Sequence, residues 1–524
     1  MRIPLTPVRF FEYAEKIYAR NEGVVCGDRR FTYGEFCSRV RRMSNALTEM
    51  GVQKSDRVAY LGYNCHRLLE LFYAPVISGA ILEPLNIRLV AGDFEYILNE
   101  SNPRILFLDK DFIPVMDSIR KRISSVETYI ILEDDGGLPS WVTGSYEKML
   151  ASASDWRSYP LGTYPFEEED TAEIFYTSGT TGKPKGVMMT HRNLYLHALC
   201  LLAMMVVREI DVQIHLIPLF HVNGWGTPHY LLAKGGKHVM IRKFDPLRAI
   251  ELMSRERVTL AFVVPTMMTA LLEVPQLKSF DLSSMKTIVL GGAPSPRGLM
   301  KRTEEAFGCI AHTGLGMTET CPFIVIPDLS EDLPPEEYRR RRHDVNGRPM
   351  PGVEFRLVGT DGEDLPWDGK SVGELLVRGD MLMKGYYNKP EETAQTLEGG
   401  WYHTGDLCAM GPDGQLIVID RKKDIIISGG ENISSLEIEQ VLHGHPAVLE
   451  CAVVGKHDER WGEIPLALIV LREGYAVTAE EILKYAREHL AHFKVPRELR
   501  FLKEFPKGET GKILKSVLKE RYQT

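Results

Sequence analysis

The side chains best suited to chemistry are concentrated between Tyr176 and Val187, a stretch that reads YTSGTTGKPKGV. Ser178, Thr180 and Thr181 offer hydroxyl donors, the glycines let backbone N–H groups approach a polyanion, and Lys183 and Lys185 add positive charge. Apolar residues 174–176 precede the loop as a strand candidate, and a second apolar run follows it. A loop of this make-up is suited to wrapping the phosphates of a nucleotide. It is not a Walker A loop, because no G-x-x-x-x-G-K-[ST] can be read through it. A plain Gly/Ser/Thr linker is the competing reading, and Pro184 between two lysines argues against it.

Such a loop must be carried on the end of a strand, and the flanking pattern supplies strands and helices in alternation. Thr32 and Glu35 form a capping-box pattern ahead of Phe36, Val40, Met43 and Leu47, which share one helix face, and Gly51 ends the helix. Residues 57–61 read as a buried strand and His66 opens another helix. Residues 261–264, 287–290, 373–377 and 416–419 are further strand candidates. The alternation predicts an α/β fold with its chemistry at strand ends. After Arg421 the pattern changes to a helix over 435–442, strands over 451–454 and 466–471, a capped helix from Thr478 and a lysine-rich tail. That is a small α+β unit, so residues 1–421 and 422–524 are expected to form a large and a small domain.

A length of 524 residues is too great for one core, which agrees with two domains. A net charge of -8 gives no general attraction to nucleic acid or anionic membrane. The cysteines are scattered without metal-ligand spacing and read as buried thiols of a reducing compartment. The opening MRIPLTPVRFFEYAEK lacks the order of a signal peptide, and the apolar runs 71–85 and 194–207 are shorter than the roughly 18 residues a bilayer span needs. Both runs are expected to be buried helices, in a cytoplasmic protein with no integral membrane segment. Arg339 to Arg342 is expected to be a solvated helix surface.

Further motifs follow in order: GLGMTET at Gly314–Thr320, YHTGDL at Tyr402–Leu407, DRKKD at Asp420–Asp424 and PKGETGKILK at Pro506–Lys515. With the Tyr176 loop, they resemble the core motifs of the adenylate-forming superfamily, which includes acyl-CoA synthetases, carrier-protein adenylation domains and firefly-type luciferases. PLNIRL at Pro84–Leu89, PLFHVNGWG at Pro218–Gly226 and SGGENISSLEIE at Ser428–Glu439 narrow the resemblance to medium- and long-chain fatty acyl-CoA synthetases and related propionyl-type ligases. The fold it implies is a large N-terminal domain of layered α/β sheets with a small β subdomain, plus a small mobile C-terminal α+β domain.

The resemblance also implies roles. Residues Thr177 to Lys185 would hold the β- and γ-phosphates of ATP, and Thr180 with Glu319 would form a Mg2+ site on oxygen ligands. Asp406 would accept from the ribose hydroxyls, with Arg421 also reaching the ribose. Gly292 and Ala293 would line the junction of adenine and acyl group, near Thr313, Gly314, Leu315, Gly316 and Thr318. Lys512, on a loop flanked by Gly508 and Gly511, would bring a point charge to the reacting carboxylate. Lys423 would be the hinge about which the small domain rotates, carrying Gly429, Gly430 and Glu431 towards the pantetheine arm of CoA. His221 would shape the thiol's path or pack structurally, while Val222 and Trp225 would meet the acyl chain.

Leu315 stands where the family commonly has an aromatic ring to stack on adenine, and Thr313 where an amide is common, which implies weaker ATP binding. The implied reaction joins a small-molecule carboxylic acid, of medium to long chain or a bulky apolar kind, to CoA through an acyl-adenylate. Two other readings stay open: an adenylation enzyme that loads a carrier protein, and a catalytically dead sensor. A homodimer through the large domain is also left open.

Overall fold

The computed structural model describes residues 3–134, 136–154, 164–177, 183–205, 207–293, 295–326, 346–508 and 512–522. The capping signals act as their chemistry demands. The Thr32 hydroxyl accepts from Glu35 N–H, the Glu35 carboxylate accepts from Thr32 N–H, and the helix Tyr33–Glu49 buries Phe36, Val40, Met43 and Leu47. Thr478 and Glu481 do the same for Ala479–His489.

Two large sheets build the N-terminal part. One places Ile310–Thr313, Thr287–Leu290, Leu260–Val263, Val212–His215, Lys237–Met240 and Glu22–Cys26 side by side in parallel, closed by antiparallel Arg29–Thr32. The other has Arg57–Leu61 at its centre, with Ile81–Pro84, Ile105–Leu108 and Thr128–Ile131 parallel around it. Thr171–Thr177 pairs with Ile81–Pro84 and then turns back, antiparallel, into Lys185–Thr190. A four-stranded antiparallel sheet follows, from Val353–Val358, Gly373–Gly379, Tyr402–Met410 and Leu416–Arg421.

The chain leaves that sheet at Arg421 and enters a five-stranded one at Ile426. Val448–Asp458 and Gly462–Leu471 form its long central hairpin, covered by Ser435–His443 and Ala479–His489. The apolar side chains of this part cluster separately from those of the large sheets. Asp420 reaches across the junction: its Oδ2 accepts from the N–H of Ser435 at 2.6 Å and of Leu436 at 3.2 Å, capping the Ser435–His443 helix. Arg472 of the small sheet also pairs with Glu273 of the large part at 2.6 Å.

One expected helix is not there. Residues 71–85 divide into the end of His66–Leu71, the short helix Ala74–Ile77 and the strand Ile81–Pro84. Gly79 turns the chain at φ +79°, and the following residues are taken up by strand pairing on both edges. An unbroken apolar run cannot distinguish a buried helix from a buried strand. Residues 194–207 do fall largely in the helix His191–Met205. The strands expected at 451–454 and 466–471 are longer than their apolar cores because polar ends continue the ladder. Arg339–Arg342 lies outside the described residues. Among those described, no helix is long and apolar enough to cross a membrane.

The large core encloses histidines. His191 Nδ1 meets Thr6 Oγ1 at 2.9 Å, His197 Nε2 accepts from Phe323 N–H at 3.2 Å, and His215 Nε2 meets His238 Nδ1 at 2.9 Å. Burial lowers His191, His197 and His215 from 6.5 to about 3, so each is neutral in the fold. Below about pH 6.5 the unfolded chain binds protons that the folded chain refuses, so stability falls with pH, by roughly 1.4 kcal/mol per histidine per unit. The urea midpoint is expected to drop steeply from about pH 6.5 towards about pH 4; a flat profile would contradict buried neutral imidazoles.

Candidate active site

The phosphate-loop candidate joins two antiparallel strands, with Thr177 paired to Lys185. Ser178, Gly179, Thr180, Thr181 and Gly182 lie outside the described residues. Lys183 sits 5.0 Å over the Tyr96 ring, and Lys185 pairs with Glu392 and lies 5.2 Å over the Tyr386 ring. Below them, Glu100 accepts from Tyr96 Oη at 2.7 Å and Tyr176 Oη at 2.9 Å and pairs with Lys389 at 3.0 Å. The described flanks of the loop, Thr177 and residues 183–185, are therefore set among polar groups that composition alone did not reveal.

The electrostatic centre forms around Asp406. Its residue is 4% exposed, and burial pushes the carboxyl above its ordinary range while Arg421 and Lys512 pull it back. Arg421 faces it across the ladder, Nε to Oδ1 3.4 Å. Lys512 arrives from the far end of the chain. Burial and the neighbouring Arg421 lower its ammonium from 10.5 to about 8, against the pull of Asp406 and Asp424. Lys423 follows in the exposed turn after Arg421, and its carbonyl accepts from Lys519, which also pairs with Asp424 at 3.0 Å.

Glu319 lies beside this centre. Tyr386 Oη donates to its Oε1 at 3.0 Å, burial raises its pKa, and Arg421 and Lys185 oppose the rise. Among the described residues no cluster of three or more His, Cys, Asp or Glu could hold a metal by itself. One desolvated carboxylate fits Mg2+ in the manner of an ion that takes most of its ligands from phosphate oxygens and water.

Thr313, Gly314, Leu315, Gly316 and Thr318 run past the ends of the parallel strands. Leu315–Gly316 pairs with Phe323–Ile326, and a Cβ on Gly316 would lie 2.1 Å from Pro322 O, so no other residue fits there. Leu315 is half-buried, an aliphatic side chain where a stacking ring was sought. Gly291 and Gly292 follow the strand Thr287–Leu290, with Ala293 half-buried beyond them. A Cβ at Gly291 would meet the Trp225 ring at 3.1 Å and one at Gly292 would meet it at 3.4 Å. Trp225 also meets Phe323 edge-on at 5.7 Å between centroids and Phe262 at 6.0 Å.

Val222, Asn223, Gly224, Trp225 and Gly226 all have φ between +36° and +82°. A left-handed turn of this length costs roughly 1–2 kcal/mol for each non-glycine residue, and the fold must hold it. Asn223 Nδ2 donates to Glu173 Oε2 at 2.9 Å, and Asn223 Oδ1 accepts from Gly226 N–H at 2.6 Å. Glu173 Oε1 also meets His229 Nε2 at 3.0 Å. Sequence reasoning missed Glu173, Asn223 and His229. The Asn-Gly pair was a signal for left-handed backbone; nothing in the sequence marked Glu173 as its partner.

His221 precedes this turn. Burial and the nearby Arg88 lower it to about 4, so it is a neutral imidazole near pH 7. Next to it lies a cavity of about 430 Å³ lined by Tyr63, Arg88, Phe220, Arg242, Lys243 and Met267, among others. Gly429, Gly430 and Glu431 are exposed at the tip of the hairpin Ile426–Ser428/Glu431–Ile433, with Gly429 N–H donating to Trp461 O at 2.7 Å.

The charge balance around Lys512 can be measured without any substrate. Competitive labelling with acetic anhydride, read by peptide mass spectrometry, is expected to give Lys512 an apparent pKa of about 8. Removing the neighbouring cation with Arg421→Gln is expected to raise it, and removing the anion with Asp406→Asn to lower it. An ordinary lysine titration would mean that Lys512 does not rest beside Asp406.

Comparison with known proteins agrees with this architecture. A family model described as AMP-binding enzyme matches residues 11–387, and one described as AMP-binding enzyme C-terminal domain matches residues 437–512. The chain is 34% identical to the peroxisomal butyrate–CoA ligase AAE11 of Arabidopsis thaliana, covering 99% of this chain and 93% of the relative. It is 35% identical to a long-chain-fatty-acid–CoA ligase of Thermus thermophilus, covering 98% and 95%. Its fold superposes on the crystal structure of the anthranilate CoA ligase AuaEII in complex with anthranoyl-AMP with a TM-score of 0.91, at 27% identity over 99% of this chain and 98% of the other. With both matches in order along one chain, the protein belongs to the AMP-binding enzyme family, as an AMP-forming acyl-CoA synthetase.

Proposed function

We propose that this enzyme activates an apolar carboxylic acid, of medium to long chain or bulky, as its acyl-adenylate and passes the acyl group to CoA. The observation that carries the reading is Lys512, delivered from the end of the chain into the field of Asp406 and Arg421. The substrate carboxylate would attack the α-phosphorus of ATP, forming one P–O bond as the bond to pyrophosphate breaks. Lys512 would neutralise charge that grows on the reacting oxygens, and positioning would supply most of the rest. Thr177, the 178–182 loop, Lys183 and Lys185 would hold the β- and γ-phosphates. Asp406 and Arg421 would hold the ribose, while Gly292, Ala293 and residues 313–318 would form the adenine side. Glu319, with Thr180, would hold Mg2+, whose charge offsets that of the triphosphate.

In the second half-reaction the CoA thiolate would attack the acyl carbonyl and AMP would leave. We place the domain boundary at 421/422 and the pivot at Lys423, where the chain passes from one sheet to the next. Rotation there would withdraw Lys512 and bring Gly429, Gly430 and Glu431 inward. The cavity beside His221 is aromatic and basic, with Arg242 4.8 Å and Lys243 4.5 Å from the Tyr63 ring, which suits a phosphorylated thiol carrier. His221, next in sequence to the lining residue Phe220, would shape the thiol's path. The apolar wall of Trp225, Phe262 and Phe323 supports an apolar acid. All eight cysteines are free, which supports a cytoplasmic setting.

Lys512→Ala is expected to slow pyrophosphate release by on the order of 100-fold or more, while thioester formation from preformed acyl-adenylate suffers far less. Equal loss in both steps would refute the two-orientation reading. Acids of graded length, assayed for CoA-dependent AMP release, define the substrate. Transfer to a carrier protein but not to CoA would favour the carrier-loading alternative.

A further inference from the structure

We propose that Glu173 and Asn223 are positioning residues that fix the wall of the acid pocket by holding the left-handed turn beneath Trp225. The proposal rests on the reading of Trp225 as part of that wall. Five successive residues at positive φ, among them a β-branched valine and a tryptophan, do not hold themselves. Inside the turn Asn223 Oδ1 accepts from Gly226 N–H and His221 O from Gly224 N–H, and the side-chain restraint from outside it comes from buried Glu173.

The restraints form one closed network. Glu173 spends one carboxylate oxygen on Asn223 Nδ2 at 2.9 Å and the other on His229 Nε2 at 3.0 Å. Asn223 returns its own oxygen to Gly226 N–H at 2.6 Å, pinning the far end of the turn. His229 Nδ1 meets Tyr73 Oη at 3.1 Å, and Tyr73 Oη donates to Pro228 O at 3.2 Å. Glu173, Asn223 and Tyr73 are 0% exposed and His229 is 1% exposed. A carboxylate that deep is tolerable only while its donors stay in place. The turn therefore cannot relax without stranding Glu173. Space restrains it too: a Cβ at Gly224 would come within 2.6 Å of the Leu219 side chain, and one at Gly226 within 2.7 Å of His197.

The result is an indole held against Gly291 and Gly292, where the acid's apolar end is proposed to lie. Holding the turn would set how long or bulky an acid fits. Glu173 stands on Thr171–Thr177, the strand that also leads into the phosphate loop, so one rigid element would fix both ends of the reacting pair.

The test is a double-mutant cycle read on relative kcat/KM across acids of graded length and bulk. Asn223→Gly keeps the left-handed backbone accessible but removes the clamp. It is expected to change the ratio of kcat/KM between short and bulky acids about tenfold, mainly through the KM of the acid, with the KM for ATP moving less than about twofold. Trp225→Ala is expected to change the ratio as well, and adding Asn223→Gly to it to change the ratio no further. If Asn223→Gly does not fold, Glu173→Gln takes its place, since it keeps the shape while turning one acceptor into a donor. Its effect is expected to be smaller and in the same direction.

A changed profile for Trp225→Ala with an unchanged one for the clamp variant would overturn the proposal and leave the acid-pocket reading standing. Equal clamp effects with and without Trp225 would overturn it too, because the network would not then act through the indole. An unchanged profile for Trp225→Ala would remove the acid-pocket reading itself and the proposal with it.

Discussion

A carboxylate as deeply placed as Asp406 cannot keep its charge without cations, and the architecture of the chain can be read as the means of providing two of them. Arg421 comes by a local route, across one rung of an antiparallel ladder. Lys512 comes by a long route, through a separate sheet with its own core and back to the junction. The two cations repel each other: Arg421 is the leading charged neighbour that lowers Lys512. Asp406 is the anion that lets both remain. The centre thus carries more cation than anion, and Asp406 with Asp424 holds an ammonium that Arg421 and burial push down, which would suit the proposed meeting with a polyanion.

The proposed acid side is built on a different principle. Its walls are apolar and aromatic, but their placement depends on a polar network buried beneath them. Strand Thr171–Thr177 serves both sides, with Glu173 facing the left-handed turn and Thr177 opening the phosphate loop. Tyr176 on the same strand reaches Glu100 and the polar groups under Lys183. The proposed nucleotide and acid ends would therefore be referenced to a single strand rather than to two independent loops.

The features legible from the residues alone were those whose chemistry is local. Thr32 with Glu35 and Thr478 with Glu481 announce helix starts because the partners are three residues apart. The motifs around Asp406 and Lys512 announce charged side chains that the fold brings into one another's field. Contacts between distant residues were not legible. Glu173 is separated from Asn223 by 50 positions and looks like a polar residue in an otherwise apolar strand. The partners of Lys183 and Lys185 come from Tyr96, Tyr386 and Glu392, none of which carries a motif. Residues 71–85 were misjudged for a further reason: hydrophobicity reports burial, and only the turn at Gly79 decides which element is buried.

The bonds that Asp420 makes to the start of the Ser435–His443 helix join the two sides of the proposed pivot. Asp420 belongs to the sheet of the large part and Ser435 to the small one, so a swing about Lys423 would pull them apart. The helix would keep its Ser434 cap on Glu437 N–H, but Asp420 would lose four donors, Ser434 Oγ, Ser435 N–H, Ser435 Oγ and Leu436 N–H. Hydrogen bonds to a charged group of this kind are worth roughly 1.5–3 kcal/mol each. If the proposed pivot at Lys423 operates, these bonds would bias the empty protein towards the orientation described, and a ligand binding the other orientation better would have to offset them.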